Sequence, residues 1–275
     1  MTILSDFLAR RTPPDLYDAY LSPLFDHWAG NLLAAAPPSG RVLDIASGTG
    51  IVSRRLAASP GVTKVDALDV AAPMVAKAKA MGGDAKIAYV EASALDLPFD
   101  GNAFDAAYCQ QGLQFFPDRI RALSEARRVL KPGGRLAAAV WTAASDGNPI
   151  FGAFETAVAR RLGDDLIPFG PFSLGDRDAI AADAEAAGLS IISLERRTAP
   201  SPLPDPRTFV LFDLVFLGRP GPDGALQPLF DPQDPASDAE IEALMAEVAE
   251  AAEPYLEDNG DVRAPMTAHL LVAEA

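Results

Sequence analysis

The sequence predicts an α/β protein built on a doubly wound, mostly parallel sheet. Short β-rich runs alternate with helical patterns, and the connections between them are short. Runs such as Leu136–Val140 (LAAAV) are apolar without alternation, as a sheet covered on both faces requires.

Arg41–Ile45 (RVLDI) reads as the first strand, and Ile51–Ala58 begins the helix after it. Lys64–Leu68 is the second strand, followed by a helix over Ala72–Met81. Ile87–Glu91 is the third, and Phe104–Cys109 the fourth, leading to a helix over Arg119–Leu130. The turn Lys131-Pro132-Gly133-Gly134 opens the fifth strand, Gly134–Trp141. A helix over Asp176–Ala187 ends at Gly188, Ser190–Arg197 is the sixth strand and Met266–Ala273 the seventh. Ahead of them all, Asp15–Ala36 has a helical pattern containing Tyr17, Tyr20, Phe25 and Trp28.

Two stretches interrupt this alternation. Asn148–Gly175 carries Pro149, Pro168 and Pro171 with Phe151, Phe154, Phe169 and Phe172. Ala199–Pro265 is proline-rich apart from a helix over Asp238–Ala252, where Ile241, Leu244, Met245 and Val248 recur at helical spacing. Insertions of this length build lids or substrate pockets, with linker or disordered loop as the alternative for the proline-rich pieces. The expected organisation is a helical cover over 1–40, a core over 41–147, 176–198 and 262–275, and lid or pocket insertions over 148–175 and 199–261.

The net charge is −15, from 38 acidic and 23 basic side chains, so a nucleic-acid backbone or anionic membrane surface would be repelled. The single Cys109 can form no internal disulfide and no zinc cluster. No leader-like N-terminus and no run of about 18 apolar residues is present, so the expectation is a cytoplasmic protein with no membrane partner.

The chemistry concentrates where the first strand ends at Asp44 and runs through Ala46-Ser47-Gly48-Thr49-Gly50 into a helix. Glycines there let the backbone turn tightly and let a ligand approach without Cβ collision. The helix N-terminus offers free N–H groups to that ligand. Ser53 stands where G-x-G-x-x-G has its third glycine, and the G-x-x-x-x-G-K-[ST] loop is absent, so a diphosphate-bearing nucleotide fits poorly. Asp69, 21 residues past Gly48, is placed to accept both hydroxyls of a ribose; a helix N-cap is the plainer alternative.

Together these residues resemble the class I S-adenosylmethionine-dependent methyltransferases, and within them the type 11 group that includes enzymes of ubiquinone and menaquinone biosynthesis. VLDIASGTG, ALDVAAPMV, SALDLPFDGNAFD, FDAAYCQQGLQFFPD and ALSEARRVLKPGGRLAAAVW are similar to five successive motifs of that group, from Arg41 to Trp141. The resemblance implies a Rossmann-like seven-stranded sheet with the last strand antiparallel. It implies S-adenosylmethionine as cofactor, S-adenosylhomocysteine as product, and methylation of a small aromatic or lipophilic metabolite of quinone or natural-product type. By the same resemblance Ala46, Ser47, Gly48 and Gly50 would pack on the cofactor and Asp44 would lie near its amino group. Asp69 would hold the ribose, Val70 and Met74 would flank the adenine, and Ser93, Ala94 and Leu95 would border its other side. Gln110, Gln111 and Gln114 would face the methionine portion and the methyl group. Ala46 and Ser93 depart from the group's usual glycine and aspartate.

Methyl transfer needs a base only if the acceptor must lose a proton. His27, on the first long helix, is the candidate, with packing as its alternative; His269 and Cys109 read as structural. Tyr20 could hydrogen-bond the cofactor. The acceptor pocket is expected from Trp28, Gln114, Trp141, Phe151 and Phe209, with Phe154, Phe172, Phe212 and Phe216 nearby. No metal-ligand spacing occurs. A nicotinamide-dependent oxidoreductase and a cofactor-binding protein without transfer remain as rivals, and a homodimer is as compatible with the sequence as a monomer.

Overall fold

The computed structural model describes residues 2–9, 12–163, 170–216, 218–220 and 226–275. In chain order the elements are α1 (Ile3–Leu8), α2 (Pro13–Ala35), β1 (Gly40–Ile45), α3 (Ile51–Ala58), β2 (Val62–Asp69), α4 (Ala72–Ala80), β3 (Ile87–Glu91) and β4 (Phe104–Gln110). There follow α5 (Arg119–Val129), β5 (Leu130–Trp141), α6 (Pro149–Leu162), α7 (Arg177–Ala186), β6 (Ser190–Leu203), α8 (Pro206–Phe216), β7 (Gly218–Pro220), β8 (Leu226–Pro228), α9 (Ser237–Ala252) and β9 (Val262–Glu274). One sheet has the order β3-β2-β1-β4-β5-β9-β6; β7 and β8 form a separate antiparallel pair. β1 pairs parallel with β2 and β4, and β4 with β5, whereas β9 runs antiparallel to β5, with Ala138 opposite Leu271. The seven-stranded, doubly wound sheet is thus the one expected, including its antiparallel last strand.

The chain divides into two compact units. The first comprises Phe25–Thr142, Leu174–Arg197 and Thr267–Ala275 and carries most of the sheet. Its side chains alternate between two covered faces. Leu43, Ile45, Ala107, Cys109, Leu136, Ala138 and Val140 join Leu123 and Ala126 of α5 and Ile180 and Ala184 of α7 in one core. On the opposite face Tyr108 Oη donates to Ala36 O (2.8 Å) and Gln110 Nε2 to Phe25 O (2.9 Å), while Trp28 meets Trp141 edge-to-face at 5.1 Å. Capping is local: Asp118 accepts from the Arg121 N–H ahead of α5, and Asp176 from the Asp178 N–H ahead of α7.

Three details differ from the sequence reading. The turn Lys131–Gly134 lies inside β5: Phe104 pairs with Leu130 and Ala106 with Arg135, so the intervening residues bulge out, Gly133 at φ +78°. β6 continues through Pro200 and Pro202 to Leu203, which its place at the sheet edge permits, since an edge strand can lose ladder donors. The stretches read as irregular insertions contain the helices α6 and α8.

The second unit comprises Met1–Leu24, Ala143–Ser173 and Thr198–Met266. Phe151 packs on Phe172 and Phe209, each at 4.7 Å, and Arg161 bridges Glu240 (3.0 Å) and Glu247 (2.5 Å) of α9. Phe169 and the Phe216 side chain lie outside the described residues. One turn beyond Phe151 and Phe209, Glu155 and Asp213 place two carboxyls in each other's field. Burial lifts Glu155 to about 7, and burial together with the Glu155 charge lifts Asp213 well above the carboxylate range. A raised carboxyl binds more protons folded than unfolded, so its contribution to stability falls as pH rises from about 4 through 7. Asp213→Asn is therefore expected to raise the melting temperature at pH 8 more than at pH 5. A difference that is the same at both pH values would count against the coupling.

Candidate functional site

The sheet order reverses between β1 and β4, so the crevice beyond their carboxyl ends is where a doubly wound sheet binds its ligand. Four residues in the turns there are left-handed: Ala46 (φ +57°), Gly48 (+54°), Gly50 (+83°) and Gln111 (+55°). Ser47 N–H donates to Leu68 O (2.9 Å) and Gly50 N–H to Ser47 O (2.8 Å), holding the β1 loop folded. At Gly50 an added Cβ would run into the Tyr89 hydroxyl and approach its ring carbons at 2.9 and 3.0 Å. At Gly112 a Cβ would stand 2.6 Å from the Ala46 methyl and 3.0 Å from Cys109 Sγ. The alanine in the β1 loop thus makes glycine obligatory across from it, after β4.

Asp69 does not cap α4, whose N-cap residue is Ala71 with no side-chain cap; the Asp69 carboxylate is a backbone clamp. One oxygen accepts Gly48 N–H and the other Ala71 N–H, both at 2.8 Å, so the carboxylate ties the glycine loop to the start of α4. Each oxygen keeps a second acceptor position for a ligand hydroxyl. Val70, next in the chain, is 73% exposed, and Met74 is half-buried. Ser93 Oγ accepts from Leu95 N–H (3.1 Å), closing the turn in which Ala94 is buried.

Asp44 is 1% exposed and accepts from Ser53 Oγ (2.5 Å). Burial raises it to about 7, opposed by the Ser53 hydrogen bond and reinforced by the Asp69 charge. Burial likewise lifts the Cys109 thiol to about 12, so it is inert near neutrality. His269 lies with Nε2 3.0 Å from Gly175 O, a structural placement.

Beyond β4, Gln111 and Gln114 are buried beside each other, linked through Gln114 Nε2 to Gln111 Oε1 (3.3 Å). Seven buried polar atoms in the first unit have no hydrogen-bond partner among the described residues: Ser47 Oγ, Gln110 Oε1, Gln111 Nε2, Gln114 Oε1, His27 Nε2, Tyr89 Oη and His269 Nδ1. Orphaned groups of this kind cost free energy until something pairs them. Four of them, at the ends of β1 and β4, therefore suit a polar ligand in the crevice.

The first unit thus contains Asp44, Ala46, Ser47, Gly48, Gly50, Asp69, Val70, Met74, Ser93, Ala94, Leu95, Gln110, Gln111, Gln114, His27, Trp28 and Trp141. Tyr20, Phe151 and Phe209 belong to the second unit, where Tyr20 stacks on Phe7 at 6.0 Å and the two phenylalanines are buried in the aromatic cluster. Tyr89, which backs the glycine loop, escaped the sequence reading; its only signal is a large aromatic in a short strand opposite Gly50. Among the described residues no group of three or more metal-ligating side chains occurs, and no helix is long and apolar enough to cross a membrane.

Residues 43–138 match the family model described as a methyltransferase domain, Methyltransf_11. Over 105 residues the chain is 43% identical to a demethylmenaquinone methyltransferase of Clavibacter sepedonicus, covering 38% of this chain and 42% of that one. Over 118 residues it is 40% identical to the ubiquinone/menaquinone biosynthesis C-methyltransferase UbiE of Rhizobium meliloti, covering 40% and 46%. The chain thus spans less than half the length of these relatives. In fold it is similar to the YcgJ protein of Bacillus subtilis (TM-score 0.54, 22% identity, 90% of this chain and 97% of that one). It is also similar to a Haemonchus contortus phosphoethanolamine N-methyltransferase 2 whose structure contains S-adenosylhomocysteine (TM-score 0.58, 20% identity, 100% and 60%).

Proposed function

We propose that this protein is an S-adenosylmethionine-dependent methyltransferase acting on a small aromatic or lipophilic acceptor of the quinone type. The observation that carries the reading is the β1 loop. Left-handed at Ala46, Gly48 and Gly50, it is clamped by Asp69 and faces orphaned buried polar atoms at the point where the sheet order reverses. The demethylmenaquinone and UbiE relatives support the acceptor class.

The cofactor supplies an electrophilic methyl group, so the chain's task is positioning. The second lone pairs of Asp69 take the ribose hydroxyls, and the exposed Val70 and half-buried Met74 give the adenine an apolar face. Ser93 to Leu95 border its other side, and Gln110 and Ser47 offer the amino-acid end an acceptor and a hydroxyl. Asp44 lends negative charge to the cofactor's amino group through the loop. His27, whose Nε2 is buried without a partner among the described residues, is our candidate to take a proton from an acceptor that must lose one. The segments 1–40, 148–175 and 199–261 carry Tyr20, Phe151 and Phe209, and 41–147, 176–198 and 262–275 form the cofactor-binding core. The acidic surface fits a cytoplasmic enzyme working without nucleic acid or membrane.

Calorimetric titration with S-adenosylhomocysteine tests the reading; binding of NAD with no response to S-adenosylhomocysteine would overturn it. Asp69→Ala should weaken that binding by about 1.5–3 kcal/mol, as expected for hydrogen bonds to a charged group. Because Asp69 also holds Gly48 and Ala71, Asp69→Asn is the companion variant, keeping one acceptor for the loop. An unchanged dissociation constant in both removes Asp69 from the site.

A further inference from the structure

Gln111 and Gln114 are only 7% and 8% exposed, and the geometry of their amides is over-determined. Gln111 holds a left-handed backbone at φ +55°, which an L side chain adopts only when its surroundings impose it. Its N–H donates to Ala139 O (2.9 Å), and its Oε1 accepts Trp141 N–H (3.0 Å). A backbone N–H can only donate, so the atom facing Trp141 is the oxygen and the amide orientation follows. Gln114 Nε2 then donates to the same oxygen (3.3 Å). What remains is one donor, Gln111 Nε2, and one acceptor, Gln114 Oε1, both buried and unpartnered among the described residues.

We propose that this amide couple reads the methyl acceptor, recognising a neutral hydroxyl-bearing edge that accepts from Gln111 and donates to Gln114. The proposal rests on the methyltransferase reading of the same site and assigns these two residues its specificity. The strand order places the couple on the acceptor's side. β2, β1, β4 and β5 are successive neighbours, so Asp69 at the end of β2 and Gln111 past the end of β4 are two strand spacings apart, about 10 Å. Gln111 is moreover bonded onward to the end of β5, away from β2. The chemistry of the couple selects against charge. A carboxylate would find one donor and face the Gln114 oxygen, and an ammonium would find one acceptor and face the Gln111 NH2. An ether in place of the hydroxyl leaves Gln114 Oε1 buried and unpaired, which is the stronger form of discrimination. Phe115, adjoining Gln114 in sequence, is 56% exposed and offers apolar surface for the body of such a molecule.

The test uses the full chain saturated with S-adenosylhomocysteine and titrated anaerobically in a calorimeter with 1,4-dihydroxynaphthalene or 1,4-dimethoxynaphthalene. The diol is expected to bind about tenfold more tightly than the ether. Gln114→Leu is expected to abolish that preference while leaving the S-adenosylhomocysteine dissociation constant within about twofold of wild type. A cooperative melting transition in Gln114→Leu guards against a folding defect in the leucine variant. Equal binding of diol and ether by the wild type, or binding of neither, overturns the proposal. So does a loss of S-adenosylhomocysteine affinity in Gln114→Leu that matches the loss for the diol, because the couple would then serve the cofactor. A wild-type chain that ignores S-adenosylhomocysteine altogether fails in the first titration and brings down the methyltransferase reading itself.

Discussion

Gly50→Ala is expected to destabilise the protein by about 2–4 kcal/mol and to weaken S-adenosylhomocysteine binding by on the order of 10–100-fold. Two costs combine. Gly50 sits at φ +83°, where an L residue pays about 1–2 kcal/mol. The new methyl would also collide with the Tyr89 side chain, whose ring carbons lie 2.9 and 3.0 Å from its position. Tyr89 is fixed in β3 by the pairing of Ala67 with Tyr89, so relief requires the loop to move instead. That loop includes Gly48, whose N–H is tied to Asp69, so the displacement reaches the ribose position. Tyr89→Phe removes the hydroxyl that the methyl meets first and is expected to restore part of the lost stability to Gly50→Ala. Denaturant melts and calorimetry of the single and double variants measure both effects. Additive losses, with no rescue by phenylalanine, would show that the backbone conformation alone sets the cost.

The physical reason that the sheet was legible lies in its burial. Strands covered on both faces must be apolar throughout, and residues such as Leu136–Val140 leave no competing pattern. The loop was legible because Gly48 and Gly50 are glycines that the chain needs to be glycines. Gln111 adopts the same left-handed backbone without a glycine to mark it; Gly112, the visible residue, answers instead to the Ala46 methyl. The helices α6 and α8 were hidden for a different reason. The prolines at 149 and 206 fall in stretches where prolines recur, whereas each stands at the start of its helix, where a missing N–H costs nothing. α8 (PRTFVLFDLVF) is also apolar on nearly every side, so no 3.6-residue stripe separates it from a strand. Pro200 and Pro202 misled in the opposite direction, since only the strand order reveals that β6 is an edge. Asp69 shows the limit of spacing arguments most directly. Position in the chain suggested either a ribose acceptor or a helix cap; the cap of α4 is Ala71 without a side-chain bond, and the Asp69 carboxylate instead joins Gly48 N–H to Ala71 N–H with acceptor positions to spare.

Asp44→Asn is expected to change the pH dependence of stability more than any other single substitution in the crevice. Burial pushes the folded carboxyl up to about 7, well above the ordinary carboxylate range. Below about pH 4 both folded and unfolded chains carry the proton, and Asp44 contributes no pH-dependent term. Between 4 and 7 the folded state binds more protons than the unfolded, so stability falls as pH rises, and above 7 the full penalty, about 4 kcal/mol, is in force. Asparagine keeps an oxygen for the Ser53 hydroxyl and has nothing to ionise. The variant should therefore melt higher than wild type at pH 8, on the order of 10 °C, with the gap closing as pH falls toward 4. The same substitution removes the charge that the loop presents to the cofactor's amino group, so S-adenosylhomocysteine affinity at pH 8 should fall even as stability rises. Opposite signs for the two effects distinguish a carboxylate retained for binding from one that merely fills the core. Melting curves for wild type and variant that run parallel from pH 4 to 8 would mean that Asp44 does not titrate in this window, and a gain in both stability and affinity would remove its charge from the function of the site.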